Sequence, residues 1–410
     1  MSGATALGAI PRPLAGVRVI DFGQIVAMPL AGQWMAMLGA DVIMVESRAN
    51  LPSRSFSPFA PEMSPNTSGI FNSINRNKRV CTINLRTADG IALARRLVAT
   101  ADVAQDNFSP GTMDKLGLGY EALRAVKSNI ITLSLCAFGN TGPWAGYAAL
   151  HSGVMLLSGL TAVTGYPGGH PRMIGSLAPD PLASTYCVLA ITQAIYHLRR
   201  TGDGQKIDAA MSEALQTLFP DALATYAMLG REPERIGNRH PRKAPHGIYR
   251  TRGDDTWVAV SVDGDAEWGA FCTAADLVAL AADPRFATTD SRQANVEALD
   301  AAVTAWTRER EAGDIARTLQ AAGIAAGPVL NARDVLTDPH LRERGFIVED
   351  DHPVAGRRPM AGAPWRFRRI PPVAYRHAPL LGADNEAVFG ELLGMSGAEI
   401  ARLEAAEVIY

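Results

Sequence analysis

The first apolar run of the chain, VRVIDFG (Val17 to Gly23), has strand character, and PLAGQWMAMLGA after it opens on Pro29 and stops near Gly39. Proline suits the first turn of a helix and glycine its end, so this stretch is predicted helical. DVIMVES (Asp41 to Ser47) is a second apolar run. Strand, helix and strand with short links predict a parallel βαβ unit. The theme recurs through RVCTINL, a helical stretch from Thr87 to Thr100, DVAQDNF, a helical stretch near YEALRAV, and IITLSLCAF. The expected fold class is therefore α/β with an open parallel sheet, whose ligands sit at the carboxyl ends of the strands. Those ends read Phe22-Gly23-Gln24, Glu46-Ser47-Arg48, Leu85-Arg86, Asn107-Phe108-Ser109 and Ala137-Phe138-Gly139. No GxGxxG follows the first strand, so the dinucleotide fingerprint is absent.

After a helical stretch around Met211 to Leu229 the character changes. GREPERIGNRHPRKAPHG is polar, basic and proline-rich, as a linker or binding loop would be. GIYRTR and TWVAVSV, joined by a Gly-Asp-Asp turn, predict a hairpin. Helical segments run on to about Ala322, and GPVLNARDVLTDPHLRERGF marks a second boundary. At 410 residues the chain has room for two or three domains. Its net charge of −2 argues against a nucleic-acid partner. Cys81, Cys136, Cys187 and Cys272 lie far apart with no CxxC spacing, which predicts reduced thiols in a cytoplasmic protein rather than a disulfide frame or a zinc site. The uncharged stretch between Asp21 and Asp41 contains Gln24, Pro29 and Gln33, so it reads as a buried strand and helix rather than a membrane span. The N-terminus has no basic region followed by an apolar run, and no secretory signal is expected.

Candidate chemistry is sparse. No GxSxG, HExxH or metal-ligand spacing of histidines and carboxylates occurs. What is conspicuous is MIGSLAPDPLAS, in which Asp180 is the one acidic residue between Glu121 and Asp203. Pro181 suits a first helical position and Asp180 the N-cap before it. Leu182, Tyr186, Leu189, Ile191, Ile195 and Leu198 continue at helical spacing and end in Arg199 and Arg200. A carboxylate at a helix N-terminus is held ionised by the dipole and backbone N–H groups, and an ionised, positioned carboxylate can act as a nucleophile. The two roles are compatible.

Taken in order, PLAGVRVIDFGQIVAMPLAGQWMAMLGADVIMVE, NRNKRVCTINLRTADG, ADVAQDNFSPGTMDKLGLGYEAL, FGNTGPWA, RRTGDGQKIDAAMSEAL, GNRHPRKAPHGIYRTRGDDTWVAVSV, GIAAGPVLNARDVLTDPHLRERGF and APLLGADNEAV resemble the family III CoA-transferases over nearly the whole chain. The resemblance implies a Rossmann-like large domain with a parallel sheet, built from both chain ends (1–215 and 336–410), around a smaller α+β domain (216–335). It also implies a homodimer of two interlinked rings. It places the catalytic aspartate at Asp180 and makes CoA a substrate moiety, with no tightly bound cofactor, no metal and no membrane partner. CoA would be contacted by Val26 and Ala27, Arg48, Ile83 to Arg86, Asn107 and Phe108, Lys115, and the Ala137-Phe138-Gly139 turn. His240, in the basic linker, is expected to face acyl-CoA or the acceptor acid. The rival from the same fold is an α-methylacyl-CoA racemase, which uses a histidine after the GP segment. Aligned on SGL, that position is Leu150, with His151 one place away.

Overall fold

The computed structural model describes residues 11–410 except Ser176. The chain divides into two compact units. One comprises residues 1–161, 173–229 and 339–410, and the other 162–172 and 230–338.

In the first unit, β1 (Arg18–Asp21), β2 (Asp41–Glu46), β3 (Arg79–Thr82), β4 (Val103–Asp106), β5 (Ile131–Cys136) and β6 (Lys206–Ala210) form one sheet in the order β3-β2-β1-β4-β5-β6. Every neighbouring pair is parallel. Strand sides alternate, so adjacent residues build separate cores. Val19, Val42 and Leu133 pack with Met28, Met35, Cys187 and Ile191 of the helices Ala27–Met37 and Pro179–Thr201. Ile20, Ile43 and Cys81 pack with Leu97 of the helix Ala88–Val98, which Thr87 caps through Gly90 N.

The C-terminal segment completes this second core rather than the sheet. All six strands come from residues 18–210, and Val388, Phe389, Leu403 and Ile409 cover the Ile20 face. The C-terminal end thus contributes a cover to the first unit and no strand to its six-stranded sheet. That end also carries a separate antiparallel hairpin, β10 (Ile347–His352) and β11 (Gly356–Ala361), numbered after the strands of the second unit. All four cysteines are buried and free. Among the described residues no helix is long and apolar enough to cross a membrane.

The second unit holds β7 (His246–Arg250), β8 (Trp257–Ser261) and β9 (Ala325–Pro328) in one antiparallel sheet, with helices over a core of Val258, Trp268, Phe271, Leu299 and Leu319. The Gly253-Asp254-Asp255 turn joins β7 to β8 as the sequence predicts. Arg292 is fully buried here, donating to the carbonyls of Ala244, Phe286 and Gly264.

Two buried ion pairs shape the carboxyl ends of β1 and β2. Lys78 Nζ lies 2.8 Å from Asp21 Oδ2, both side chains being wholly inaccessible, and also donates to Asn75 Oδ1 at 2.8 Å. Arg54 reaches both oxygens of Glu46 at 2.7–2.9 Å and stacks over Phe71. Room for the first pair depends on Gly32 in the helix Ala27–Met37. A Cβ there would come within 2.5 Å of Asp21 Oδ2 and 2.9 Å of Lys78 Nζ. Removing one partner of a buried pair strands the other charge, which costs about 3–5 kcal/mol, whereas removing both costs far less. Lys78→Met should therefore lower the urea midpoint strongly, and adding Asp21→Asn should recover part of the loss. A double variant as unstable as the sum of the singles would show that the pair is not coupled.

Candidate active site

Side chains hold four backbone groups of the loop from β1 into the helix Ala27–Met37. Asp21 Oδ1 accepts from Gly23 N at 2.9 Å. The Asn107 side chain clamps Gln24 from both sides, accepting from its N–H at 2.7 Å and donating to its carbonyl at 2.8 Å. Ile25 N donates to Ser53 Oγ at 2.7 Å. Ile25 itself sits at φ 66°, a left-handed conformation that β-branched residues rarely adopt. Such strain costs on the order of 1–3 kcal/mol and persists only where the surroundings over-determine it. These bonds supply that constraint.

The consequence is the position of Ala27. Its carbonyl accepts from Ser184 Oγ at 2.6 Å, and its amide hydrogen-bonds the Asp180 carboxylate. Ser184 Oγ also donates to the Asp180 carbonyl at 2.6 Å, one turn away on the same helix. Two helix N-termini thus converge on one carboxylate, and their dipoles favour its charge. Asp180 is not the N-cap expected from the sequence. The helix begins at Pro179 with Ala178 before it, so Asp180 lies inside the first turn. The first helical position goes to Pro179 rather than Pro181, since either proline can forgo its N–H there.

Asp180 lines a cavity of about 430 Å³ at the carboxyl edge of the sheet. The wall is mostly apolar, with Val26, Leu135, Val154 and Met211. Facing it are the titratable side chains of Asp180, His151, Cys136 and Tyr147. Asp180 is only 7% exposed, and its Oδ2 has no hydrogen-bond partner. Burial pushes its carboxyl up to about 6, against the attraction of His151 and the amides of Asp180 and Ala27. Cys136 is held as a neutral thiol, burial raising it to about 11.

Of the residues expected from the sequence, Val26, Asn107, Phe108, Ala137 and Asp180 are brought to this one cavity. Ala27 is buried next to Val26 and is not among the lining residues. Phe138 lies beside it, its ring edge-on to Trp144 and Tyr147, and Gly139 makes the following turn at φ 82°. Ile83 is fully buried in the core, its amide bonded to the Glu46 carbonyl at 2.8 Å. Arg48, Arg86 and Lys115 are exposed and form no ion pair with described residues, Arg48 lying over the Tyr410 ring at 5.7 Å. His240 belongs to the second unit, where its Nδ1 accepts from Arg242 N and its ring lies 5.2 Å from that of His246. His151 was not among the expected contacts. Its signal was a histidine in a stretch, Ser128 to Pro171, that lacks any Asp, Glu, Lys or Arg.

The arrangement sets a nearly buried carboxylate with one unpartnered oxygen in a mostly apolar cavity. Residues 14–385 match the model of CoA-transferase family III. The chain belongs to that family. It is 34% identical over 402 residues to the succinyl-CoA–D-citramalate CoA-transferase of Chloroflexus aurantiacus, covering 97% of this chain and 98% of that one. It is 32% identical over 387 residues to the succinate–glutarate CoA-transferase of Agrobacterium fabrum, covering 92% and 96% of the two chains. The crystal structure of a CaiB/BaiF family protein from Brucella suis matches with a TM-score of 0.86 at 34% identity, covering 93% of this chain and 100% of that one. The chain is thus an enzyme of the CoA-transferase class.

The elevated carboxyl of Asp180 sets a sign for stability. Its folded value near 6 lies above the ordinary 3.8, so ionisation opposes folding above pH 6, and the penalty fades as pH falls toward 3.8. Asp180→Asn should therefore stabilise the CoA-transferase at pH 7.5, by about 1–3 kcal/mol, with the gain vanishing near pH 4. Denaturant midpoints of both proteins at the two pH values measure it. An Asn variant that is less stable at pH 7.5 contradicts the burial argument.

Proposed function

We propose that this CoA-transferase moves CoA from an acyl-CoA donor to an acceptor carboxylic acid through covalent states of Asp180. The observation that carries the reading is the unpartnered Oδ2 of a nearly buried carboxylate in the cavity. Asp180 attacks the thioester carbonyl and expels CoA as thiolate, forming a mixed anhydride. The thiolate attacks the aspartyl carbonyl, releases the donor acid and leaves an aspartyl-CoA thioester. The acceptor carboxylate then repeats the two steps in reverse, so charge balances throughout and no proton is consumed. Desolvation strengthens the nucleophile as well as raising its pKa, and the start of the helix Ala27–Met37 directs backbone N–H groups at developing negative charge.

CoA itself lies along the carboxyl edge in this reading. Arg48, Arg86 and Lys115, on segments that follow β2, β3 and β4, meet its phosphates as unpaired cations. Val26, Ala27, Asn107, Phe108 and the Ala137-Phe138-Gly139 turn hold the thioester end. Ile83, buried as it is, contributes backbone only. His240 faces the acyl group or the acceptor. The names of the relatives favour succinyl-CoA as donor.

A second reading rests on one observation: His151 shares the cavity with Asp180, and an acid–base pair there suits α-carbon proton exchange as in a racemase. Hydroxylamine trapping separates the two. Wild type incubated with an acyl-CoA should be modified at Asp180, and Asp180→Ala should lose at least 10³-fold in transfer while still binding CoA. In D2O the transferase should place no deuterium at the α-carbon. Appreciable transfer by the alanine variant overturns the covalent route, and rapid α-exchange without transfer establishes the rival.

The family's interlinked homodimer is part of the proposal. Tyr186, Leu189 and Tyr196 on the helix Pro179–Thr201, with Tyr226 and Met228 on the helix Pro220–Leu229, expose large apolar side chains that a monomer leaves in water. Interlinked chains cannot part without opening, so subunit exchange is limited by unfolding. Two differently tagged preparations mixed in native buffer should form almost no hybrid over hours. Rapid hybrid formation rules out the interlinking.

A further inference from the structure

The cavity has an electrostatic asymmetry that nucleophilic attack alone does not use. Among its described lining residues, His151 is the one side chain able to carry positive charge. It opens the short helix His151–Leu157, is half-buried, and its ring makes no hydrogen bond among the described residues. Both of its nitrogens are therefore available to a ligand. Its field reaches the Asp180 carboxylate, so the two groups occupy one electrostatic compartment.

Charge in that compartment changes during the reaction. The resting site holds an ionised Asp180 opposite His151. When Asp180 becomes an anhydride or a thioester, its charge is gone and the His151 ring no longer faces a protein carboxylate. In a mostly apolar cavity an imidazole with no hydrogen-bond partner is costly. A substrate that brings its own spectator anion removes the problem. An acyl group with a free terminal carboxylate keeps that charge in every covalent state, because only the other carboxyl reacts.

We propose that His151 binds the non-reacting carboxylate of a dicarboxylic substrate and so selects dicarboxylic over monocarboxylic acyl groups. This rests on the covalent Asp180 reading and adds the substrate class and the residue that reads it. The incoming carboxylate replaces Asp180 as the partner of His151, so one carboxylate still faces the ring after the negative charge of Asp180 has passed to the departing CoA thiolate. Monocarboxylic acyl groups of equal length fill the apolar wall but leave His151 unpaired. Its role is therefore specificity, with no proton transferred.

The test compares succinyl-CoA with butyryl-CoA, four-carbon acyl groups that differ at the far end, as donors to one common acceptor. Wild type should favour succinyl-CoA in kcat/KM. His151→Gln, which keeps a hydrogen-bond donor without charge, and His151→Leu, which keeps neither, should each lower the succinyl-to-butyryl ratio. A lost charge-assisted hydrogen bond corresponds to about 10- to 100-fold. The loss should be larger for leucine and should appear mainly in KM for the dicarboxylic donor. A ratio that stays put in both variants, whether the rates hold or fall together, overturns the assignment. Wild type that takes both donors equally well overturns it too. Hydroxylamine labelling of Asp180 in the same samples locates the failure. Labelling with an unmoved ratio removes only the role of His151, whereas no labelling in wild type removes the covalent reading and this proposal with it.

Discussion

Asp21 and Lys78 form an ion pair wholly out of water at the end of β1, and the geometry of the site is built outward from it. The Asp21 oxygen not turned toward Lys78 holds Gly23 N, which fixes where the chain leaves the strand. From there Asn107 clamps Gln24, Ser53 holds Ile25 in its left-handed conformation, and Ala27 arrives with its amide at the Asp180 carboxylate. A buried pair of this kind is weak evidence for stability, because desolvation offsets most of the attraction. Its value here is positional. Burial pushes the Lys78 ammonium below its ordinary range, against the attraction of Asp21 and Glu46.

The buried carboxylates at the sheet's carboxyl edge are treated unequally. Asp21 has Lys78, Glu46 has a bidentate Arg54, and Asp106 accepts from Phe108 N and Ser134 Oγ. Asp180 makes no side-chain pair of this kind, and its Oδ2 is buried without a partner, whereas Asp106 takes both of its hydrogen bonds on Oδ1. The desolvation cost at Asp180 is thus left without a compensating cation, unlike at Asp21 and Glu46. The left-handed Ile25 beside it is a second local cost of the same kind, and both are carried by the rigid sheet beneath them.

The β1, β2, β3, β4 and β5 strands, the helices Ala27–Met37, Ala88–Val98 and Tyr120–Val126 and the β7–β8 hairpin were legible because apolar runs and turn residues punctuate them cleanly. β6 was not, since KIDAA is a partly exposed edge strand with no apolar alternation. β9 escaped notice because AAGP has neither bulk nor branching, and β10 because IVEDDH reads as a polar loop. Asp180 stood out by isolation, although one proline of difference shifted its place in the helix. His151 was harder. Its partnership with Asp180 links positions far apart in the chain, and no local spacing encodes which wall of a cavity a residue joins. Nor does any composition signal say that Arg54 and Lys78 are buried, because lysine and arginine are ordinarily outside.

The division of the first unit between both ends of the chain has a consequence for how the molecule is made. During synthesis the six strands of the sheet and the helices of its Val19 face leave the ribosome long before the last segment. The Ile20 face is covered only in part, by residues such as Leu97 and Leu123, until Val388, Phe389, Leu403 and Ile409 arrive. Meanwhile residues 230–338, a contiguous stretch with its own core, are free to fold first. The order of emergence therefore leaves a half-covered sheet waiting on the ribosome, a state in which apolar surface invites chaperones or aggregation. Truncation near the end of the message would harm the sheet at the start.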